Sequence, residues 1–547
     1  MEKRTVLAFI LIFLIYWFSS QYLWKPSTEE QQTQIETQRQ EQTTPTTNDG
    51  EPTPLSLPLL QEEGYFAVDI AESVEINDDI ILENEIIKVS FTNRGGLINQ
   101  IVLKEFYLSD KITPVSLVPN EQTILQVYFD GFFSEINQQI FGYEVYSEGE
   151  SQNIVFELNS SETNFVYKKI YTLQDGYQLN MQLVGENFPA FDSYSVSINS
   201  GIAITESHKA SIKDIGNSFK FVGMVDRERR EVTQSRLSSK GEQRYIGVVN
   251  WAAVRSKYFT MSLIPETRIM TSSVRAQRVS DTLGFDLYVR YNNRISNFQD
   301  EFELYFGPVD YDILSSFGNG MENIAELGAR WLRPLATIFM FYLSFLHRFI
   351  SNYGIVIIIF AFTLKILLSP LTNKALSSTK KMQKIQPLQK EITEKYKHDI
   401  KKQQEELRNL YKEHNVSPLG GCFPLLLQMP IFFALYPILR YSIEFRQAHF
   451  FGWLSDLSEP DPFWILPIIM GIFMFVQQRM SQAKQDMSNL DEKQAAMIQS
   501  QKMMMYIMPP FLVFVFSNLP AGLVLYWTVF NVFSIVQQYF LNKKQDN

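Results

Sequence analysis

Among 547 residues there is one cysteine, Cys422, and there are five histidines, scattered singly. A lone cysteine excludes an intrachain disulfide, so any domain outside the cytoplasm has to be held by its core alone. No Cys/His cluster has metal-ligand spacing, and neither a metal nor any other cofactor is expected. No repeat recurs along the chain, which argues against a solute transporter built from inverted repeats. Acidic residues are plentiful in the first half, but no spacing pairs two of them as a glycosidase would require.

Charge is distributed unevenly. Residues 26–330 hold 24 Lys and Arg against 44 Asp and Glu, whereas 331–547 hold 22 against 14. An acidic first half and a basic, apolar second half suggest two compartments. The chain opens Met1-Glu-Lys-Arg4, followed by an apolar stretch from Val6 to Leu23. A signal peptide would suit Val6–Phe18, but a small-x-small cleavage site is missing. Tyr16, Trp17, Tyr22 and Trp24 look like interfacial anchors, so 1–25 is expected to be an uncleaved first transmembrane helix with a cytoplasmic N-terminus. Residues 26–56, rich in Gln, Thr, Glu and Pro, are expected to form a disordered tether.

From 57 to about 320 the pattern becomes short alternating runs with turn punctuation. Ile86–Ile98 predicts a strand, a Gly95-Gly96 turn and a second strand. Asn153–Leu158, Phe165–Leu173, Phe285–Arg290 and Phe302–Phe306 alternate in the same way, and together they predict a large antiparallel β-sandwich. Its acidic face reads as a solvated surface.

The second half reads as membrane. Residues 331–350 are apolar and aromatic but too short to span, which predicts an amphipathic helix in the interface. Further spans are expected over 353–372, 422–442, 462–479, 503–518 and 520–540, six in all with the first, and 418–540 forms one block of four. Lys365 interrupts the second of these spans. It lies ~16 Å beyond Gly354 and ~12 Å before Asn373, near the bilayer midplane. A charge there costs ~2.5–3.5 kcal/mol on insertion scales. Either its stem snorkels toward headgroups, although that stem reaches only ~6 Å, or the ammonium occupies a polar cavity in the bundle.

Lysine placement orients the chain. Segment 373–417, with 11 Lys and Arg against 6 acids, is expected in the cytoplasm, as are the loop 480–502 and the tail 541–547. Met382, Ile385, Leu388 and Ile392, answered by Leu407, Leu410 and Tyr411, predict a helical hairpin over 373–417, with Pro387 kinking its first arm and His398-Asp399 at its tip. Its lysines, Lys380, Lys381, Lys384, Lys401 and Lys402 among them, either hold orientation as a solvated loop or form a docking post. The partner would then be anionic, a ribosome or acidic lipid headgroups.

On the last span Thr528, Asn531, Ser534 and Gln538 share one helical face. Gln428 and Gln477-Gln478 add polar groups on other spans. Such groups can simply be interhelical glue, at ~0.6 kcal/mol each. Together with Lys365 they suggest a wet groove. Methionines crowd the cytoplasmic edge of spans four and five, from Met470 to Met508, either as filler or as a surface tolerant of many apolar sequences.

The segment Asn415–Tyr436, NVSPLGGCFPLLLQMPIFFALY, resembles the signature of the YidC/Oxa/Alb membrane protein insertases. Ser369–Thr372, Asp461–Gly471 and Pro520–Tyr526 are similar to further family blocks in the same order. Asn93–Gly96 and Tyr305–Pro308 resemble the start and end of the periplasmic domain of bacterial YidC. The resemblance implies a polytopic α-helical protein of the bacterial inner membrane, with six spans, both termini cytoplasmic, a periplasmic antiparallel β-sandwich and a cytoplasmic helical hairpin. It implies an insertase and chaperone, not an enzyme, that acts alone or with a Sec translocon. Nascent membrane proteins, membrane lipids, the ribosome and the signal recognition particle pathway are the implied partners, with no specific nucleic acid sequence. The implied groove residues are Lys365, Gln428, Gln478, Thr528, Asn531 and Ser534, and the implied substrate contacts are Tyr526 and Trp527. Lysine stands at 365 where the Gram-negative pattern has arginine, so the charge survives without the planar fork. Trp527 stands where paired tyrosines are usual, and Ala361 replaces a polar residue.

Overall fold

A computed structural model describes residues 75–546, except 131–134, 150, 161–163, 207–214, 238–240, 267–268, 280–281, 397–398, 415, 417–422 and 482–505. The expected first span, the tether 26–56, His398 and residues 482–502 of the expected loop lie outside the described residues. The architecture below is that of the unit formed by Val68–Ala483 and Pro509–Asn547.

Strands run from Ile80–Glu83 to Phe298–Pro308 and pair antiparallel throughout. They form sheets of nine, five and four strands. Alternation is the cause: in Phe165–Leu173 every second side chain, from Phe165 to Leu173, is buried and those between are not. The nine- and five-stranded sheets meet through aromatic contacts such as Phe129 on Tyr167 (5.7 Å) and Phe221 on Phe285 (5.7 Å). The four-stranded sheet packs Phe91 against Phe156 and Tyr171 of the nine-stranded one. Burying each such ring contributes ~1.5–3 kcal/mol, which is how a domain without disulfides holds. Gly95 and Gly96 have φ of 71° and 56°, and a Cβ on Gly95 would sit 2.4 Å from the Asn137 carbonyl oxygen. The tight turn therefore needs glycine.

The helical part comprises α1 (Arg333–His347), α2 (Tyr353–Lys384), α3 (Gln386–Lys395), α4 (Ile400–Glu413), α5 (Phe423–Tyr441), α6 (Ile465–Ser481), α7 (Tyr506–Phe516) and α8 (Ala521–Asp546). Among the described residues two stretches, Tyr353–Ser378 and Ala521–Leu541, are long and apolar enough to cross a membrane, and Ile465–Met480 and Tyr506–Phe516 are shorter apolar helices. A single core joins them, with Phe360, Leu435, Met470 and Val524 at its centre.

Two local expectations differ from what is observed. No break falls at 372: α2 continues to Lys384, because after Pro370 nothing stops it until the Gln386-Pro387 pair. Pro387 does not kink a helix but starts one. In the first turn its missing N–H costs nothing, since that donor would have no intrahelical partner. The apolar pattern of the arms closes a small core of Ile385, Leu410 and Val416, joined by Met382, Ile392 and Tyr411. Helix α1 buries Ala336, Phe339, Met340 and Leu343 and leaves Ile338, Phe341 and Phe345 exposed.

Candidate functional site

Helix α2 sorts its side chains by period. Val356, Ile357, Phe360, Ala361 and Leu364 turn inward, while Phe362, Ile366 and Leu367 are exposed. Lys365 falls at the inward edge and is buried. Its Nζ donates to Ser534 Oγ at 2.7 Å and lies 4.6 Å from the centre of the Phe530 ring. Both partners are neutral, so the ammonium is solvated by a hydroxyl and a π face rather than cancelled by a carboxylate. Ser534 Oγ in turn donates to the Phe530 carbonyl at 2.8 Å, one turn back on α8.

Helix α8 supplies the rest of the polar face. Thr528, Asn531, Ser534 and Gln538 are all buried. Thr528 Oγ1 donates to its own helix, at the Val524 carbonyl (2.7 Å). Asn531 Nδ2 is buried with no hydrogen-bond partner among the described residues, as is Gln478 Oε1 on α6. Idle buried donors and acceptors are costly, at ~1–3 kcal/mol each, and a polar guest or water would relieve that cost. Toward one end, Gln537 Nε2 donates to Thr372 Oγ1 (3.1 Å) and Asn373 Oδ1 (2.7 Å), pinning α8 to α2 a second time.

The two aromatic candidates are placed differently. Tyr526 is wholly buried against Phe360 and Phe530, and its hydroxyl accepts a 2.6 Å bond from Gln428 Nε2 on α5. Trp527 is partly exposed, with Phe432 at 5.6 Å and Phe516 at 5.3 Å. Thus Lys365 meets Ser534 and Gln428 meets Tyr526, while Thr528, among the described residues, bonds its own helix. Of the basic candidates, Lys381, Lys384, Lys401 and Lys402 are exposed on α2 and α4, and Lys380 belongs to the same α2 turn.

Sequence reading passed over a second polar cluster, where the β-domain meets the loop 446–461. Lys257 pairs with Glu459 at 2.7 Å and Arg446 with Glu206 at 2.9 Å, each cation buried. Charged residues in a strand turn and a loop carry no sequence signal of burial, and these partners are 202 and 240 positions apart. The same loop touches the start of α2, where Asn352 Nδ2 donates to the Phe450 carbonyl at 3.0 Å. It also reaches α6, whose first turn is capped by Asp461 through the Leu466 N–H at 2.7 Å.

Two family models divide the chain between them: one described as the YidC periplasmic domain over residues 79–342 and one as the 60Kd inner membrane protein over 345–547. A membrane protein insertase YidC of Syntrophus aciditrophicus is 31% identical over the full length of both chains. The chain belongs to the YidC family of membrane protein insertases. The YidC of Geotalea daltonii is likewise 31% identical over 99% of each chain. A crystal structure of an active YidC insertase with its first transmembrane domain resolved covers 85% of this chain and 93% of its own, at 18% identity and a TM-score of 0.35. The β-rich part thus matches the model described as the YidC periplasmic domain, and the helical part the one described as the 60Kd inner membrane protein.

Proposed function

We propose that this YidC-family insertase works without chemistry, through a polar groove between α2 and α8 that shelters the hydrophilic flank of an incoming membrane protein. The observation that carries this reading is Lys365, a buried cation whose partners among the described residues are a hydroxyl and an aromatic ring. An acidic tail entering from the cytoplasm would find a charge of opposite sign at mid-membrane depth, and the unpartnered Asn531 amide would bond its backbone. The apolar segment then leaves along α8, past Trp527, into lipid. The termini and the α3–α4 arms lie on the cytoplasmic side, where Lys381, Lys384, Lys401 and Lys402 offer a positive surface to a ribosome, to the signal recognition particle pathway or to anionic headgroups. The β-domain faces the periplasm, and the loop 446–461 closes the outer side by binding the ends of α2, α6 and α8. Work beside a Sec translocon is compatible with the exposed apolar flank of α2.

The test is complementation of a depletion strain together with insertion of a substrate that has an acidic tail. Lys365→Arg should retain activity, because the charge is kept. Lys365→Glu should lose insertion of such substrates, and Lys365→Ala should reduce it ~10-fold or more, in line with loss of ~1.5–3 kcal/mol from a charge-assisted contact. Normal insertion by Lys365→Ala would sink the electrostatic account.

A further inference from the structure

The N-terminal end of α8 is not held by its own residues. Its first backbone donors are satisfied from outside, as free helix ends require. The Ala521 N–H donates to the Glu459 carbonyl and the Gly522 N–H to the Leu457 carbonyl, both at 2.8 Å. A Cβ at Gly522 would lie 3.1 Å from that Leu457 oxygen and 3.2 Å from Ile357 of α2, so the helix end is seated closely. One turn further along α8 comes Tyr526, bonded to Gln428, and two more turns bring Ser534, bonded to Lys365.

The loop that seats α8 is itself gripped by the β-domain at both ends. At its start, Arg446 Nη2 donates to the Tyr107 carbonyl at 2.8 Å, beside the Glu206 ion pair, and its guanidinium lies 5.2 Å from the Phe259 ring. At its end, Lys257 Nζ binds Glu459, with side chains only 6% and 10% exposed, and the Tyr258 hydroxyl donates to Ser458 Oγ at 2.7 Å. The Leu457 N–H donates to the Ala448 carbonyl at 3.1 Å, which closes the loop on itself. Arg255, fully buried, fixes the turn that carries Lys257: it donates to the carbonyls of Ser256, Lys257 and Ile324. Glu459 thus touches Lys257 through its carboxylate and α8 through its carbonyl. Very few atoms separate a periplasmic turn from the groove helix.

We infer that Lys257 and Tyr258 of the β-domain are positioning residues for the groove, setting the seat of α8 against α2 through the loop 446–461. A surface staple would serve only to hold two domains together. A seat attached to the first turn of α8 fixes where that helix's polar face meets Lys365. The inference presumes the groove reading above but has its own readout, helix alignment, which needs no substrate.

The experiment uses the full-length protein in membranes, with Cys422→Ser. Phe362 of α2 and Phe533 of α8 have ring centroids 5.2 Å apart. Cysteines at these two positions report alignment by the rate of oxidative crosslinking. The pair Lys257→Met with Glu459→Gln removes both charges and leaves neither buried alone. At wild-type abundance it should slow crosslinking about threefold or more, because bond formation is steep in approach geometry. The exchanged pair Lys257→Glu with Glu459→Lys should restore the rate. Tyr258→Phe removes a single hydroxyl, should slow crosslinking about twofold, and decides the matter if the first pair does not accumulate. Unchanged crosslinking in the accumulating variants would overturn the inference. A lost electrostatic role for Lys365, by contrast, would leave these rates untouched and show only in insertion.

Discussion

Two buried lysines illustrate how differently residues announce themselves. Lys365 was legible because it breaks an apolar run, and a charge inside a span has few innocent explanations. Lys169 was just as legible in principle and easy to pass over. Strand parity puts it with Phe165, Tyr167, Tyr171 and Leu173 on the inward face. It is wholly buried, with the Leu125 carbonyl at 3.2 Å as its one acceptor among the described residues, and burial pushes its amine down to about 7. The unfolded chain holds that proton up to its ordinary value of 10.5, so between pH 7 and 10.5 it binds more protons than the folded one. Stability from this group therefore rises with pH across that window, by several kcal/mol at ~1.4 kcal/mol per pH unit of displacement. Below pH 7 the penalty is complete and constant. Lys169→Met should raise the melting midpoint of the β-domain at pH 7, and its advantage over wild type should shrink as pH is raised toward 10. Differential scanning calorimetry at both pH values checks this; an advantage that stays constant would show that the amine does not titrate there.

At the level of elements, type was easier to read than extent. Four short alternating runs lie within the strands Ser151–Ser160, Phe165–Leu173, Thr282–Ile295 and Phe298–Pro308. Period-two burial is a local property, so it survives in the sequence. The end of α2 was not legible, because the change from lipid to water alters composition without breaking a helix. Helix α1 has the short length expected of an interfacial helix. On its outward side Ile338, Phe341 and Phe345 are exposed, with no charge among them. Such side chains rest better in hydrocarbon than in water. A spin label on Phe341→Cys, in a Cys422→Ser background, should be more accessible to oxygen than to a water-soluble nickel chelate, and the reverse ranking would place α1 in water. The difference in burial between Tyr526 and Trp527 makes a second prediction. A photocrosslinker at 527 should capture a stalled apolar segment several-fold more than one at 526, and one at the exposed Ile246 of the β-domain should capture none. Equal capture at 526 and 527 would mean that α8 presents no sided path.

On the scale of the whole molecule, the division into an acidic and a basic half was plain from composition, and the joint between them was not. Lys257 and Glu459 stand 202 positions apart, and nothing local to either marks it as buried. Such a pair is informative through what its halves do alone. Removing one partner strands a charge in a dry site and costs ~3–5 kcal/mol, whereas replacing both by neutral groups is close to neutral for stability. Lys257→Met alone should therefore lower the unfolding midpoint of the purified protein more than Lys257→Met combined with Glu459→Gln. Nanoscale fluorimetry in detergent distinguishes the cases, and additive losses would place the pair in water.

Pro370 gives α2 a mechanical property. The ring removes one rung of the hydrogen-bond ladder and leaves a compliant point in a helix that is otherwise stiff. Bonds to α8 stand on both sides of that point: Lys365 to Ser534 before it, Thr372 and Asn373 to Gln537 after it. A weak point splinted on either side does not act as a hinge. Whatever pushes or pulls on the arms beyond Asn373 spends its torque on the Gln537 splint first, and Lys365 feels none of it until that splint gives way. The Lys365–Ser534 contact is thereby insulated from ordinary jostling of those arms and responds only to a load large enough to break two hydrogen bonds at once.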